Sequence, residues 1–109
     1  MKALKISLIV LALLILGFKY SIGTTVVSVG TSATALPTTA VVGRKYIEVQ
    51  NVGSSTVYIG DSTVTADENA TGGIQITPMA VWREDYDHTV VIYGIVASGT
   101  CKVVVEEGK

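Results

Sequence analysis

The chain of 109 residues contains one cysteine, one tryptophan, one histidine and two prolines. A single cysteine excludes an internal disulfide framework and any multi-cysteine zinc site. A single histidine, His88, leaves one candidate base for Ser-His-Asp or Cys-His chemistry. Charge is scarce as well. Only 16% of residues are charged and the formal net charge is −1, so the clustered basic surface that nucleic acid requires is missing. The 11 glycines form no phosphate-binding pattern between a strand and a helix. Beyond residue 23 no stretch sustains a period of 3.6, and no helix is expected there.

What is present is apolarity, and it is concentrated. Ile6 to Phe18 read ISLIVLALLILGF without interruption, with Lys2 and Lys5 before the run and Lys19 after it. Ile6, Leu8, Ile9, Val10 and Leu11 form its first half. Leu13, Leu14, Ile15, Leu16 and Phe18 form its second. As a helix, this run would span roughly 20 Å at about 1.5 Å per residue. Counted from Ala3 to Gly23, with the lysines reaching outward, it extends to about 31 Å, enough for a bilayer core of roughly 30 Å.

Three readings of the segment 1–23 stand side by side. It is a retained membrane anchor, with Tyr20 at the interface. It is a signal peptide, with Ser21-Ile22-Gly23 as a small-x-small cleavage site. Or it is an apolar helix buried in the core of a protein assembly. We take the retained anchor as the working expectation. The lysine bias then leaves the N-terminus on the cytoplasmic side and residues 24–109 outside.

Those remaining residues have a different character. Without Lys2, Lys5 and Lys19, five basic residues face nine acidic ones, a net of −4. Valine and threonine dominate, and short alternating runs follow one another between polar turns. Expected strands are Thr24 to Val29, Lys45 to Asn51, Thr56 to Gly60, Gly73 to Thr77, Met79 to Arg83, Thr89 to Ala97 and Cys101 to Glu107, with Ser62 to Ala66 as a further short one. The pair around Asn51 to Ser55 is the strongest hairpin candidate, and Thr89 to Ala97 reads as a central strand. Strands this short and regularly spaced predict an all-β, antiparallel β-sandwich or jelly-roll-like domain over 24–109, preceded by one transmembrane-type α-helix over 1–23. A body of this size has limited stability alone, so a homo-oligomer is expected.

Few residues point to chemistry. Cys101 shares a face with Val103 and Val105 and reads as core. His88 follows Asp85 and Asp87 in a polar turn, and no third group orients a Cys-His pair. The chain is therefore expected not to be an enzyme and to need no cofactor. Two acidic loops, Asp61/Asp67/Glu68 and Glu84/Asp85/Asp87, offer oxygen ligands, but their spacing matches no calcium loop and they read as solvated. Asn69-Ala70-Thr71 matches the glycosylation sequon. Tyr46, Tyr58 and Trp82 are the candidate subunit contacts.

Several segments resemble a known family. Ser32-Ala33-Thr34-Ala35-Leu36-Pro37, Gly43 to Asn51 (GRKYIEVQN), Val57 to Gly60 (VYIG) and Tyr93 to Thr100 (YGIVASGT) are similar to a small β-sandwich module of bacteriophage virion proteins. Such modules occur in head-decoration and fibre components. The resemblance covers about residues 30–107 and implies a structural role among other virion proteins, with no defined ligand. The apolar N-terminal run and the polar loop Asp67 to Gly73 depart from the usual pattern. The first departure points to a virion with an internal membrane, or to display on a cell membrane. The expected function is thus a non-enzymatic, membrane-associated virion protein. A pilin-like filament subunit is one alternative, although the acidic residue expected near the start of such a helix is missing. A secreted or periplasmic β-sandwich binding module, left after signal-peptide cleavage, is the other, with the host cell envelope or the exterior as its location.

Overall fold

The computed structural model describes residues 22–67 and 72–109. Eight strands follow in order: β1 (Ile22–Val29), β2 (Thr34–Leu36), β3 (Tyr46–Asn51), β4 (Val57–Gly60), β5 (Ile74–Ile76), β6 (Val81–Glu84), β7 (Ile92–Ile95) and β8 (Cys101–Gly108). No helix occurs among the described residues. The anchor residues between Ile6 and Phe18 lie outside the described residues. Ile22 and Gly23, assigned above to the N-terminal segment, belong to β1 instead. They pair with Gly108 and Glu107.

The strands form two four-stranded antiparallel sheets, in the orders β1-β8-β3-β6 and β2-β7-β4-β5. The pairing is nested: β4 with β5, β3 with β6, β2 with β7 and β1 with β8. One long antiparallel hairpin, folded over on itself, gives this order, which is the jelly-roll connectivity.

Alternation explains the core. In β3, Ile47 and Val49 are fully buried while Tyr46, Glu48 and Gln50 stay half-exposed. Val27, Val29, Val103 and Val105 continue the inner face of the first sheet. Leu36, Val57, Ile59, Ile76 and Ile92 face them from the second. Burying each of these side chains contributes about 1.5–3 kcal/mol. β-Branched residues supply most of that surface, which suits a pleated backbone.

Three expectations need correction. Val57 to Gly60 is not the hairpin partner of Tyr46 to Asn51, because β3 and β4 lie in different sheets. Both present apolar inner faces to the same core, so the chain must cross between layers. The Asn51 side chain, donating to Ser55 O at 2.6 Å, shapes that crossing. Ser62 to Ala66 forms no strand. Asp61 captures the Thr63 N–H and hydroxyl, and Val64 N–H donates to Asp61 O, which closes a turn; only a single Thr65–Gly72 bridge follows. The expected strand Thr89 to Ala97 shrinks to Ile92–Ile95, although it is central as anticipated. Asp87 holds Thr89 in an equivalent turn, and that turn draws residues 89–91 off the ladder.

Met79 and Ala80 also fall outside the strand expected there. They complete the turn Thr77-Pro78-Met79-Ala80, closed by Ala80 N–H donating to Thr77 O at 2.9 Å. Pro78 suits the second position, but Met79 occupies the third with φ +68°, a conformation usually left to glycine.

Candidate functional site

On the side of the sandwich where β5 and β6 are the edges, the two sheets leave a cavity of about 250 Å³. Trp82 lies opposite buried Val49, so the pleat turns it inward toward this space. Tyr86 closes the cavity from the β6–β7 loop, with its ring centroid 6.2 Å from that of Trp82 and the planes tilted by 57°. Ile59, Ile74 and Val91 line the walls and Asp61 stands at the rim. The lining suits an apolar or ring-shaped guest.

Arg44 positions Tyr86. Its side chain is 1% exposed and enters from the β2–β3 loop. Nη1 donates to Glu107 Oε2 at 2.8 Å and Nε donates to Tyr86 O at 3.1 Å. Nη2 donates to Val90 O, and Glu107 Oε2 accepts a second bond from Val41 N–H. The β2–β3 loop, the β6–β7 loop and the end of β8 are thereby tied together. His88 joins the same connection, its Nδ1 accepting from Gly43 N–H at 3.2 Å.

A second buried polar group closes the opposite end. Asn51 is fully buried and uses its entire amide. Nδ2 donates to Ser55 O and to Ile76 O at 2.8 Å; Oδ1 accepts from Gly53 N–H at 2.9 Å and lies 3.1 Å from Cys101 Sγ. Because Ile76 belongs to the other sheet, this amide staples the two layers. Only glycine fits at position 53, where a Cβ would fall 2.3 Å from that sulfur. Cys101 is buried core, as its face with Val103 and Val105 predicted.

Cys101 and His88 do not meet. Cys101 starts β8 and packs at the Asn51 end, while His88 lies by Arg44 and Glu107, about 20 Å away along the strand. The three candidate contact residues are also separate. Tyr46 stands on the outer face of the first sheet, its hydroxyl donating to Glu106 Oε1 at 3.0 Å and Arg83 lying 3.9 Å over its ring. The bond to Glu106 favours the protonated phenol and raises its pKa, exclusion from water adds to this, and Arg83 opposes it. Tyr58 is on the outer face of the second sheet between Ile95 and Gln75. Trp82 alone faces the cavity.

One aspartate in each acidic loop is held by its own turn. The Thr63 hydroxyl, then its N–H, holds the Asp61 carboxyl below its usual pKa, and Thr89 does the same for Asp87. Among the described residues no three His, Cys, Asp or Glu side chains cluster as a metal site. Among the described residues no helix is long and apolar enough to cross a membrane.

Sequence reading missed Arg44, Glu107 and Asn51. The signal for two of them was present: Glu107 continues the inward alternation of Cys101, Val103 and Val105, and Asn51 that of Ile47 and Val49. Comparison with protein-family models, curated proteins and solved structures finds no match. The two four-stranded sheets establish a β-sandwich, and no family is identified for it.

Proposed function

We propose that this chain is a non-enzymatic structural protein of a virion, held by its apolar N-terminal run in a membrane or hydrophobic core, with the sandwich packing or displayed beside it. The join between the two parts carries this reading. Only Lys19, Tyr20 and Ser21 separate Phe18 from β1, a link of at most about 14 Å. A body tied so closely stays wherever that run is held. The jelly-roll connectivity supports the reading, since capsid domains use it, although lectins and cupins do too. Cleavage after Gly23 would also remove two paired residues of β1.

The test is the protein in native particles. Its intact mass should retain residues 1–23, and detergent should release it together with lipid. A mature form lacking those residues overturns the anchored reading. Leu13→Asp should abolish incorporation while leaving the sandwich folded.

The cavity beneath Trp82 favours a second reading, the secreted or periplasmic binding module. Trp82 is the only tryptophan, so its fluorescence reports on that cavity. Saturable quenching by small aliphatic or aromatic alcohols would favour this alternative, and unchanged emission would remove it.

A further inference from the structure

The four edge strands of the sandwich are protected very unequally. β2 and β5 have three residues each. β6 has four, of which Arg83 and Glu84 are charged. Short length and charge are standard ways to prevent a sheet edge from recruiting another strand. β1 has eight residues, no charge, no proline and an unbroken register against β8. The absence of charge extends from Tyr20 to Gly43, so the whole β1–β2 side is neutral on a body of net −4. On its outer face Ile22 and Val26 are each 61% exposed.

We propose that β1 is an interface between copies of this chain, pairing antiparallel with β1 of a second copy about a two-fold axis at Val26. The pleat restricts the register, because directly opposed residues must share a face. A Val26-centred pairing sets Val26 against its counterpart, and Val104 lies beside each on β8, so four valines form one strip. Thr24 then meets Ser28 of the second copy. Thr24 lies beside Glu106 and Ser28 beside Lys102, so Glu106 of one copy aligns with Lys102 of the other, and symmetry repeats the pair. The two β8 strands stand three strand spacings apart, about 14 Å, and Glu106 Oε1 also holds the Tyr46 hydroxyl, so the pair attracts across short Thr24 and Ser28 without a direct bond. Centring on Thr25 instead puts Val26 against Thr24 and next to Glu106, which loses both matches. The edge is therefore complementary to itself in shape and in charge. The result is an eight-stranded sheet with closed, isologous symmetry.

The two Ile22 residues leave this dimer at opposite ends, about 27 Å apart. If both N-terminal runs enter one surface, β1 lies flat along it. The proposal itself needs no anchor and stands or falls separately from the virion reading.

Full-length protein in mild detergent provides the test. Val26→Cys should form a disulfide-linked dimer on oxidation. Thr24→Cys alone should not, whereas a mixture of Thr24→Cys and Ser28→Cys protein should. Val26→Lys, at an exposed position, should keep the circular dichroism spectrum and halve the sedimenting mass. Lys102→Glu should weaken the dimer, and the Lys102→Glu/Glu106→Lys double variant should restore it. A wild-type monomer at all concentrations, a dimer unaffected by Val26→Lys, or crosslinking at Thr24 without Val26 would each overturn the proposal.

Discussion

The two ends of β8 are closed by different physics. At Glu107 a charged pair with Arg44 is buried and stitches two loops to the strand. At Cys101 a neutral amide, Asn51, staples the sheets with every donor and acceptor in use. Burying ions costs several kcal/mol each in desolvation, so the charged end depends on both partners being present. A saturated amide carries a smaller penalty and a smaller dependence. The fold is therefore most brittle at the end that also shapes the cavity.

The largest expected effect comes from Arg44→Met, which strands Glu107 and should cost about 3–5 kcal/mol in urea unfolding. Arg44→Met/Glu107→Leu should recover only part of that, because Tyr86 O, Val90 O and Val41 N–H lose their partners too. Full recovery would show that the ion pair, not the loop stitching, is what matters. Asn51→Leu should cost less, about 2–3 kcal/mol, for the orphaned groups at the crossing. Equal losses at Arg44 and Asn51 would break the contrast.

Acid should separate the two ends further. Asp61 and Asp87 both lie toward the Arg44 end, with carboxyls held below their usual pKa by Thr63 and Thr89. A depressed folded pKa contributes stability that is present above the unfolded value and lost as pH falls through the folded one. Amide protection factors should therefore fall on acidification at Thr63 and Thr89 before they do near Gly53. Asp87→Asn should remove that step at Thr89, and its persistence there would exclude the aspartate as its source. Alkali acts on the first sheet's outer face. The raised Tyr46 pKa means that its contribution holds below the ordinary phenol value and is lost as pH rises past the folded one. Comparing the ultraviolet titrations of wild type and Tyr46→Phe should isolate this late transition.

Faces were readable from sequence and partners were not. Alternation assigned Ile47, Val49, Val57 and Ile59 to the core, since period two depends only on the local chain. It carries no information about which strand lies alongside, so two neighbouring strands with compatible faces read as a hairpin although they belong to separate layers. The buried polar plugs escaped notice because Glu107 and Asn51 look like surface residues by type. Only their place in the alternation gives them away. Of the candidate contacts, Trp82 reached a cavity, whereas Tyr46 and Tyr58 lie on opposite outer faces.

The nested pairing also sets a sequence of events. Closing a loop is cheapest between near neighbours, so β4 with β5 and then β3 with β6 can form well before β1 meets β8. Kinetic φ-values should accordingly be higher at Ile59 than at Val27. On that order β1, whose open edge is the proposed contact between copies, pairs last. The proposed contact would then become available only once a copy's own chain has finished folding.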